Sequence, residues 1–169
     1  MSDDIHKFLH NLADGDMDAL GELYDLLSAR ILNYAKMIVR TESIAEDITH
    51  DVFLQIHMHA ARIAKTKNPE GYIMVIVRHR AYNQLKRDKR TTASLDSLQK
   101  SDITDSSGDT LEFDDAFSRL PPNQRETVYL HLICGYTHKE ASAILGVPLA
   151  TIKWRYGRAL SRLRNYFES

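Results

Sequence analysis

The chain has a single cysteine, Cys134, so it can form no internal disulfide, and it contains no CxxC pair. Both facts suit a reducing compartment. Cys134 lies among apolar neighbours at the end of a helical run, where it is expected as a small buried hydrophobe rather than a reactive thiol. No apolar run is long enough to span a bilayer, and the first residues, MSDDIHKF, are acidic and polar rather than signal-like. The expectation is a cytoplasmic protein with no membrane insertion. No segment alternates apolar and polar residues as a half-buried strand does, and no internal repeat occurs, so the expected fold class is all-α. The eight histidines include His6 with His10 and His57 with His59, but no HExxH or cysteine-rich spacing accompanies them. No metal or other cofactor is expected. No nucleophile elbow marks a serine hydrolase either.

Of the 169 residues, 43% are apolar, enough for compact cores in one or two small domains. The net charge of -1 conceals an uneven distribution. Residues 1–61 carry -7, residues 62–90 carry +7, residues 91–118 carry -6 and residues 119–169 carry +5. Two basic blocks separated by an acidic one are the footprint of two nucleic-acid contact surfaces on one chain. Clustering of solvated charge would produce the same blocks, so they gain meaning only where they coincide with motifs.

One such motif is residues 136–164, YTHKEASAILGVPLATIKWRYGRALSRLR, which read as a helix-turn-helix. Thr137 with Glu140 three residues later forms a capping box, and Ala141, Ile144 and Leu145 give the first helix an apolar face. Gly146 supplies a left-handed stop, and the next helix is expected to begin at Pro148. Its buried stripe would be Ile152, Tyr156, Ala159, Leu160 and Leu163. That arrangement points Thr151, Lys153, Trp154, Arg155, Arg158 and Arg162 outward, where a DNA major groove would lie. A solvated helical hairpin with an exposed basic helix would look the same in isolation.

The remaining periodicity is also helical. Ile5, Phe8, Leu9 and Leu12 line a short helix broken near residues 14–16. Leu20, Leu23, Tyr24, Leu27, Ile31, Tyr34, Ala35 and Ile38 line a long second one. Ser43 and Glu46 read as another capping box, opening a helix with Ile44, Ile48, Val52 and Ile56 inward and Asp47, Asp51 and Gln55 on a more exposed flank. Asn68, Pro69 and Glu70 open a fourth helix that runs to about Arg90, with Ile73, Ile76, Val77, Ala81 and Leu85 inside. His79, Asn83, Lys86, Arg87 and Arg90 form a neighbouring stripe. Residues 91–114 shift to Ser, Thr, Asp and Gly, as in a flexible acidic linker. Helical pattern resumes at Phe113, is punctuated at residues 120–123, and continues through Val128, Leu130, Leu132 and Ile133. The architecture expected is two small helical domains, residues 1–92 and 115–169, joined by a linker at 93–114.

The order of these segments resembles a bacterial extracytoplasmic-function RNA polymerase sigma factor over nearly the whole chain. Residues 45–56, AEDITHDVFLQI, are similar to the polymerase-binding helix of sigma region 2. Residues 68–90, NPEGYIMVIVRHRAYNQLKRDKR, are similar to the segment that melts and reads the minus-ten element. Residues 120–126, LPPNQRE, and the helix-turn-helix resemble sigma region 4, which reads the minus-35 element. The resemblance implies a dissociable polymerase subunit with no catalytic activity of its own. It would direct promoter recognition, strand opening and transcription initiation. Core polymerase and promoter DNA would be its partners, and a membrane-bound anti-sigma factor is a common further one in the family.

Carried over residue by residue, the resemblance implies minus-35 contacts by Arg125, Lys153, Trp154, Arg155 and Arg158. Minus-ten contacts would come from Lys67, Asn68, Arg78, His79, Tyr82, Asn83, Lys86, Arg87 and Arg90. Polymerase contacts would come from Asp47, Asp51, Phe53 and Gln55. The chemistry fits these roles: strand opening needs a cationic track with aromatic or polar groups for an unstacked base, and an arginine fork can bind guanine bidentately. The chain departs from the common pattern at Tyr72, where many members have Trp, at His79, where many have Asn, and at Gly157, where bulkier residues are usual. Two readings compete with this one: a dimeric helix-turn-helix regulator working without polymerase, and a helical adaptor that binds only proteins. Neither needs both a polymerase-binding helix and a promoter-melting segment.

Overall fold

The computed structural model describes residues 1–91 and 108–169, with side chains from residue 112 onward in the second segment. All described secondary structure is helical. The chain divides into two compact units, Met1–Ser101 and Asp102–Ser169.

In the first unit, α1 (Ser2–Ala13) carries Ile5, Leu9 and Leu12 on one buried face and Asp3 and Asp4 in its first turn. Carboxylates there complement the positive end of the helix dipole. Gly15 at φ +99° turns the chain into α2 (Asp18–Val39). This helix stops at Arg40, a left-handed residue at φ 59°, and α3 (Glu42–Ala64) follows from an extended Thr41. The expected capping box at Ser43 and Glu46 does not form: the helix has begun by Glu42, and its N-cap residue Thr41 makes no side-chain cap bond. The two-residue reversal at Arg40 and Thr41 starts α3 early and leaves Ser43 inside the first turn. His59, at φ -122° and ψ 23°, kinks α3 before its last turn.

α4 (Pro69–Thr91) begins where expected. The Asn68 Oδ1 accepts the Gly71 N–H at 3.0 Å, which caps the third residue of the helix. A Cβ on Gly71 would come within 2.7 Å of the Asn68 amide nitrogen, so glycine makes room for this cap. All four helices contribute to one interior, whose fully buried large side chains include Leu9, Leu23, Leu27, Ile31, Tyr34, Ile56, Ile63 and Ile73. Arg30 of α2 pairs with the nearly buried carboxylate of Glu70 at the start of α4, fixing the two helices in register.

The second unit starts with α5 (Gly108–Ser118). The helix therefore opens within the stretch expected as linker and ahead of Phe113; acidic composition suits a helix N-terminus as well as it suits a linker. The rest of the expected linker, residues 93–107, lies outside the described residues. α6 (Pro122–Val128) begins with proline at its first position and widens into a single π turn, Tyr129–Ile133, closed by the Cys134 N–H on the Tyr129 carbonyl at 3.0 Å. The wider turn shifts the helical phase. Leu130 stays buried, while Leu132 and Ile133 are about half exposed. Cys134 is buried.

α7 (His138–Leu145) and α8 (Leu149–Glu168) complete the unit. Ala116, Leu120 and Val128 pack with Ala159 and Leu163 of α8, and Phe117, Tyr156 and Tyr166 close over them.

Candidate nucleic-acid and polymerase interfaces

The helix-turn-helix is specified by local bonds. The Thr137 Oγ1 accepts the Glu140 N–H at 3.1 Å while the Glu140 carboxylate accepts the Thr137 N–H at 2.8 Å. Gly146, at φ 66°, ends α7 with its N–H on the Ser142 carbonyl at 2.9 Å. Pro148 is the residue before α8 rather than its first helical one, and its carbonyl accepts the Thr151 and Ile152 N–H groups.

Within α8, Ile152, Ala159 and Leu163 are buried and Tyr156 and Leu160 are half-buried, as the stripe requires. Lys153, Trp154, Arg158 and Arg162 are exposed, and Arg155 is half-buried at the margin of the same face. The Arg158 guanidinium lies over the Trp154 ring at 5.8 Å from its centroid. Trp154 is 59% exposed, so it does not pack on the preceding helix.

Arg125 stands on α6 rather than on α8. Its guanidinium donates to the carbonyls of Phe117, Ser118 and Leu120, at 3.3, 2.6 and 2.9 Å, and thereby satisfies the C-terminal end of α5. These bonds give Arg125 a structural role, because α6 starts beside the end of α5.

Beneath α8 lies a ring cluster that sequence reasoning missed. His131 from the π turn and His138 at the start of α7 face each other with centroids 4.2 Å apart, and each stands 4.9 Å from Tyr156 of α8. The His131 Nδ1 meets the Tyr136 carbonyl at 2.7 Å. Burial, then the neighbouring His131 and Lys153, push the His138 imidazole below the usual histidine range. Nearer the end of α8, the Tyr166 hydroxyl donates to Asp115 at 2.6 Å and Arg119 donates to the same carboxylate at 3.1 Å, tying α5 to α8. The bond from Tyr166, then that from Arg119, holds the Asp115 carboxyl below its ordinary value, and the same contact raises Tyr166.

On the first unit, His79, Asn83, Lys86, Arg87 and Arg90 are all exposed along one side of α4. Arg78 and Tyr82 are half-buried beside them, with the guanidinium 4.7 Å from the ring centroid. Lys67 and Asn68 are exposed just before the helix, although the Asn68 side-chain oxygen is engaged by the cap. The basic track and its aromatic partner therefore share one surface.

Along α3, Asp47 and Asp51 are exposed and Gln55 is half-buried. Asp51 reaches Arg80 of α4 at 3.4 Å. Phe53 is 7% exposed and is covered by Tyr24, whose ring centroid lies 4.9 Å away. Phe53, expected among the polymerase contacts, is thus buried, and Tyr24, expected as a core residue of α2, is 52% exposed and takes the outer position. Leu54 and Met58, at 47% and 67%, are the exposed large apolar residues of this helix. Residues 47, 51, 54 and 58 fall on one line at 100° per residue. The signal was present in the sequence, because a stripe with 48, 52 and 56 inward leaves 54 and 58 outside.

Among the described residues, no group of three or more His, Cys, Asp or Glu side chains is placed to hold a metal ion, and no helix is long and apolar enough to cross a membrane.

The sigma-70 region 2 family model matches residues 23–91, which hold most of α2 and all of α3 and α4. The sigma-70, region 4 model matches residues 110–163, from within α5 to near the end of α8. The chain is 27% identical over 179 residues to the ECF RNA polymerase sigma factor SigK of Mycobacterium ulcerans, covering 99% of this chain and 96% of that one. It is 23% identical over 176 residues to SigK of Mycobacterium tuberculosis, covering 98% and 94%. Among solved structures, the sigma factor RpoE in complex with the anti-sigma factor NepR from Bartonella quintana superposes with a TM-score of 0.73 at 23% identity, over 88% of this chain and 96% of that one. CnrH in complex with the cytosolic domain of CnrY superposes with a TM-score of 0.70 at 18% identity, over 98% and 97%. These two similarities establish the fold. With both sigma-70 regions present in order and full-length relatives of one kind, the chain belongs to the sigma-70 family, in its extracytoplasmic-function group, and is an RNA polymerase sigma factor that directs promoter-specific transcription.

Proposed function

We propose that three exposed helical faces divide this work. The line of Asp47, Asp51, Leu54 and Met58 on α3, flanked by Gln55 and Tyr24, docks on core polymerase. The basic side of α4, with Lys67 and Asn68 before it, holds the opened minus-ten strand, with Arg78 and Tyr82 paired to clasp a base and Lys86, Arg87 and Arg90 following the phosphates. The outer face of α8 reads the minus-35 duplex through Lys153, Trp154, Arg155 and Arg158. Residues 1–92 and 115–169 would then act as separate DNA-holding units, joined through 93–114.

The observation that carries the reading is the clean separation of function on α8: its apolar stripe is buried while Lys153, Trp154 and Arg158 are exposed together. A helix presented in this way fits the major groove. On α3, carboxylates at one end and apolar side chains at the other suit a basic amphipathic helical partner. Members of the family are initiation factors rather than enzymes, and we read this chain as non-catalytic and as acting in the cytoplasm beside polymerase. An anti-sigma factor is a further proposed partner, as for the Bartonella RpoE neighbour.

The test is reconstitution with bacterial core polymerase and measurement of promoter-dependent initiation. Asp47→Lys is expected to weaken core association by charge repulsion; Asp51→Lys adds a clash with Arg80, so Asp47 gives the cleaner result. Arg155→Ala or Arg158→Ala is expected to weaken specific promoter binding by roughly 1–3 kcal/mol with core association unchanged. Failure of core polymerase to retain the wild-type chain would overturn the reading; equal retention of wild type and Asp47→Lys would remove only the α3 assignment.

A further inference from the structure

Gly157 sits in the middle of α8, on its exposed side, and is absent from the glycines with positive φ. A Cβ built there meets nothing within 4 Å. Among the described residues neither a turn nor close packing requires glycine there, and a mid-helix glycine carries a backbone-entropy cost relative to alanine. Its neighbours show what the missing side chain leaves open. At 100° per residue Trp154 and Lys153, three and four residues earlier, fall on either side of position 157, and the Arg158 guanidinium lies 5.8 Å from the Trp154 ring centroid. Trp154 is the only tryptophan of the chain and one of its most exposed large apolar side chains, at 59%. An indole offers a single N–H donor, so it cannot make the two-point contact of arginine with guanine. The base-specific feature that suits a flat apolar ring in the major groove is the thymine C5-methyl.

We propose that Gly157 and Trp154 form one reading unit. The bare backbone at 157 lets the duplex settle against α8, and this brings the indole onto a thymine methyl of the upstream promoter element, with Arg158 beside it for a neighbouring guanine. The inference deepens the assignment of α8 as the minus-35 reader and rests on it.

The test uses holoenzyme assembled from core polymerase and the full chain. A promoter library randomised across the upstream element is selected for binding, and the enriched duplex is remade with deoxyuridine replacing each thymine in turn. Loss of one methyl at the contacted position is expected to weaken wild-type binding about fourfold, the value of burying one CH₂-sized group. Trp154→Ala is expected to bind the thymine and deoxyuridine duplexes alike. Gly157→Ala is expected to separate stability from function: the free chain melts a few degrees higher, because alanine is the better helix former, while holoenzyme binds the selected promoter several-fold more weakly. Wild-type indifference to every deoxyuridine substitution would overturn the inference, as would full promoter affinity in Gly157→Ala. If holoenzyme forms but enriches no upstream element, the assignment of α8 itself fails. If it enriches an element that Trp154→Ala and Gly157→Ala read unchanged, only the Gly157–Trp154 unit fails.

Discussion

The first unit gathers four helices around one large aliphatic interior, whereas the second sets three short helices, α5 to α7, beside the 20-residue α8, and the two are stabilised in different ways. α1 to α4 span 12, 22, 23 and 23 residues and bury large aliphatic side chains, yet the N-cap residues of α1, α2 and α3 make no side-chain cap bond, and α2 has only the Asp16 carboxylate on the Asp18 N–H at 3.1 Å. α5, α6 and α7 span 11, 7 and 8 residues, and their ends are held by the Arg125 guanidinium, a starting proline and the Thr137–Glu140 box. Helix nucleation fixes several residues for the first hydrogen bond, so a short helix recovers that cost over few residues and depends on its ends. A long amphipathic helix draws its stability from the area it buries. The first unit should therefore be broken by cavities, and the second by the loss of polar bonds at helix ends.

The largest effect is expected from Ile56→Ala in α3, a fully buried side chain. It should cost about 2–5 kcal/mol, read by urea unfolding, with hydrogen-exchange protection of α7 and α8 retained. Simultaneous loss of protection in both units would show that they unfold as one body and would erase the comparison. Arg125→Ala should come next, at about 1–3 kcal/mol, because it removes charge-assisted hydrogen bonds to the carbonyls at the end of α5. Unchanged stability with weaker, salt-dependent promoter binding would return Arg125 to a phosphate role. Thr137→Ala should cost about 1 kcal/mol through loss of the cap.

The smallest effect should appear as a pH dependence confined to the second unit. The His138 Nε2 is buried with no hydrogen-bond partner among the described residues, and its imidazole is pushed toward the neutral form by burial, His131 and Lys153. The unfolded chain then binds a proton at about pH 6.5 that the folded unit does not. Stability should accordingly be full above that value and decline as pH falls toward the lower folded value. Melting of the wild type from pH 8 down to pH 5, compared with His138→Phe, checks this: the variant keeps a ring against Tyr156 and should flatten the slope. Equal slopes would place the dependence elsewhere.

Much of this molecule was legible because the deciding bonds are short in sequence. Thr137 and Glu140 are three residues apart, Gly146 follows its helix directly, and the Ile152, Ala159 and Leu163 stripe needs only the helical period. Ser43 and Glu46 show the limit of that logic, since the same spacing made no cap once the turn at Arg40 and Thr41 had started α3 early. The faces of α4 were readable for the same reason as those of α8, and the acid-rich α5 start was not, because its composition serves a linker and a helix N-terminus equally well.

The sequence by itself determined the helical class, the helix-turn-helix with its caps, and the order of motif segments that carries the resemblance to the family. Tertiary structure decided which side chains are available for function. Phe53 is removed from the surface by Tyr24, Arg125 is drawn to carbonyls at residues 117–120, and His138 is turned against His131 and Tyr156. Each of these outcomes depends on a partner beyond the next helical turn or in another element, and local periodicity carries no information about which neighbour arrives there.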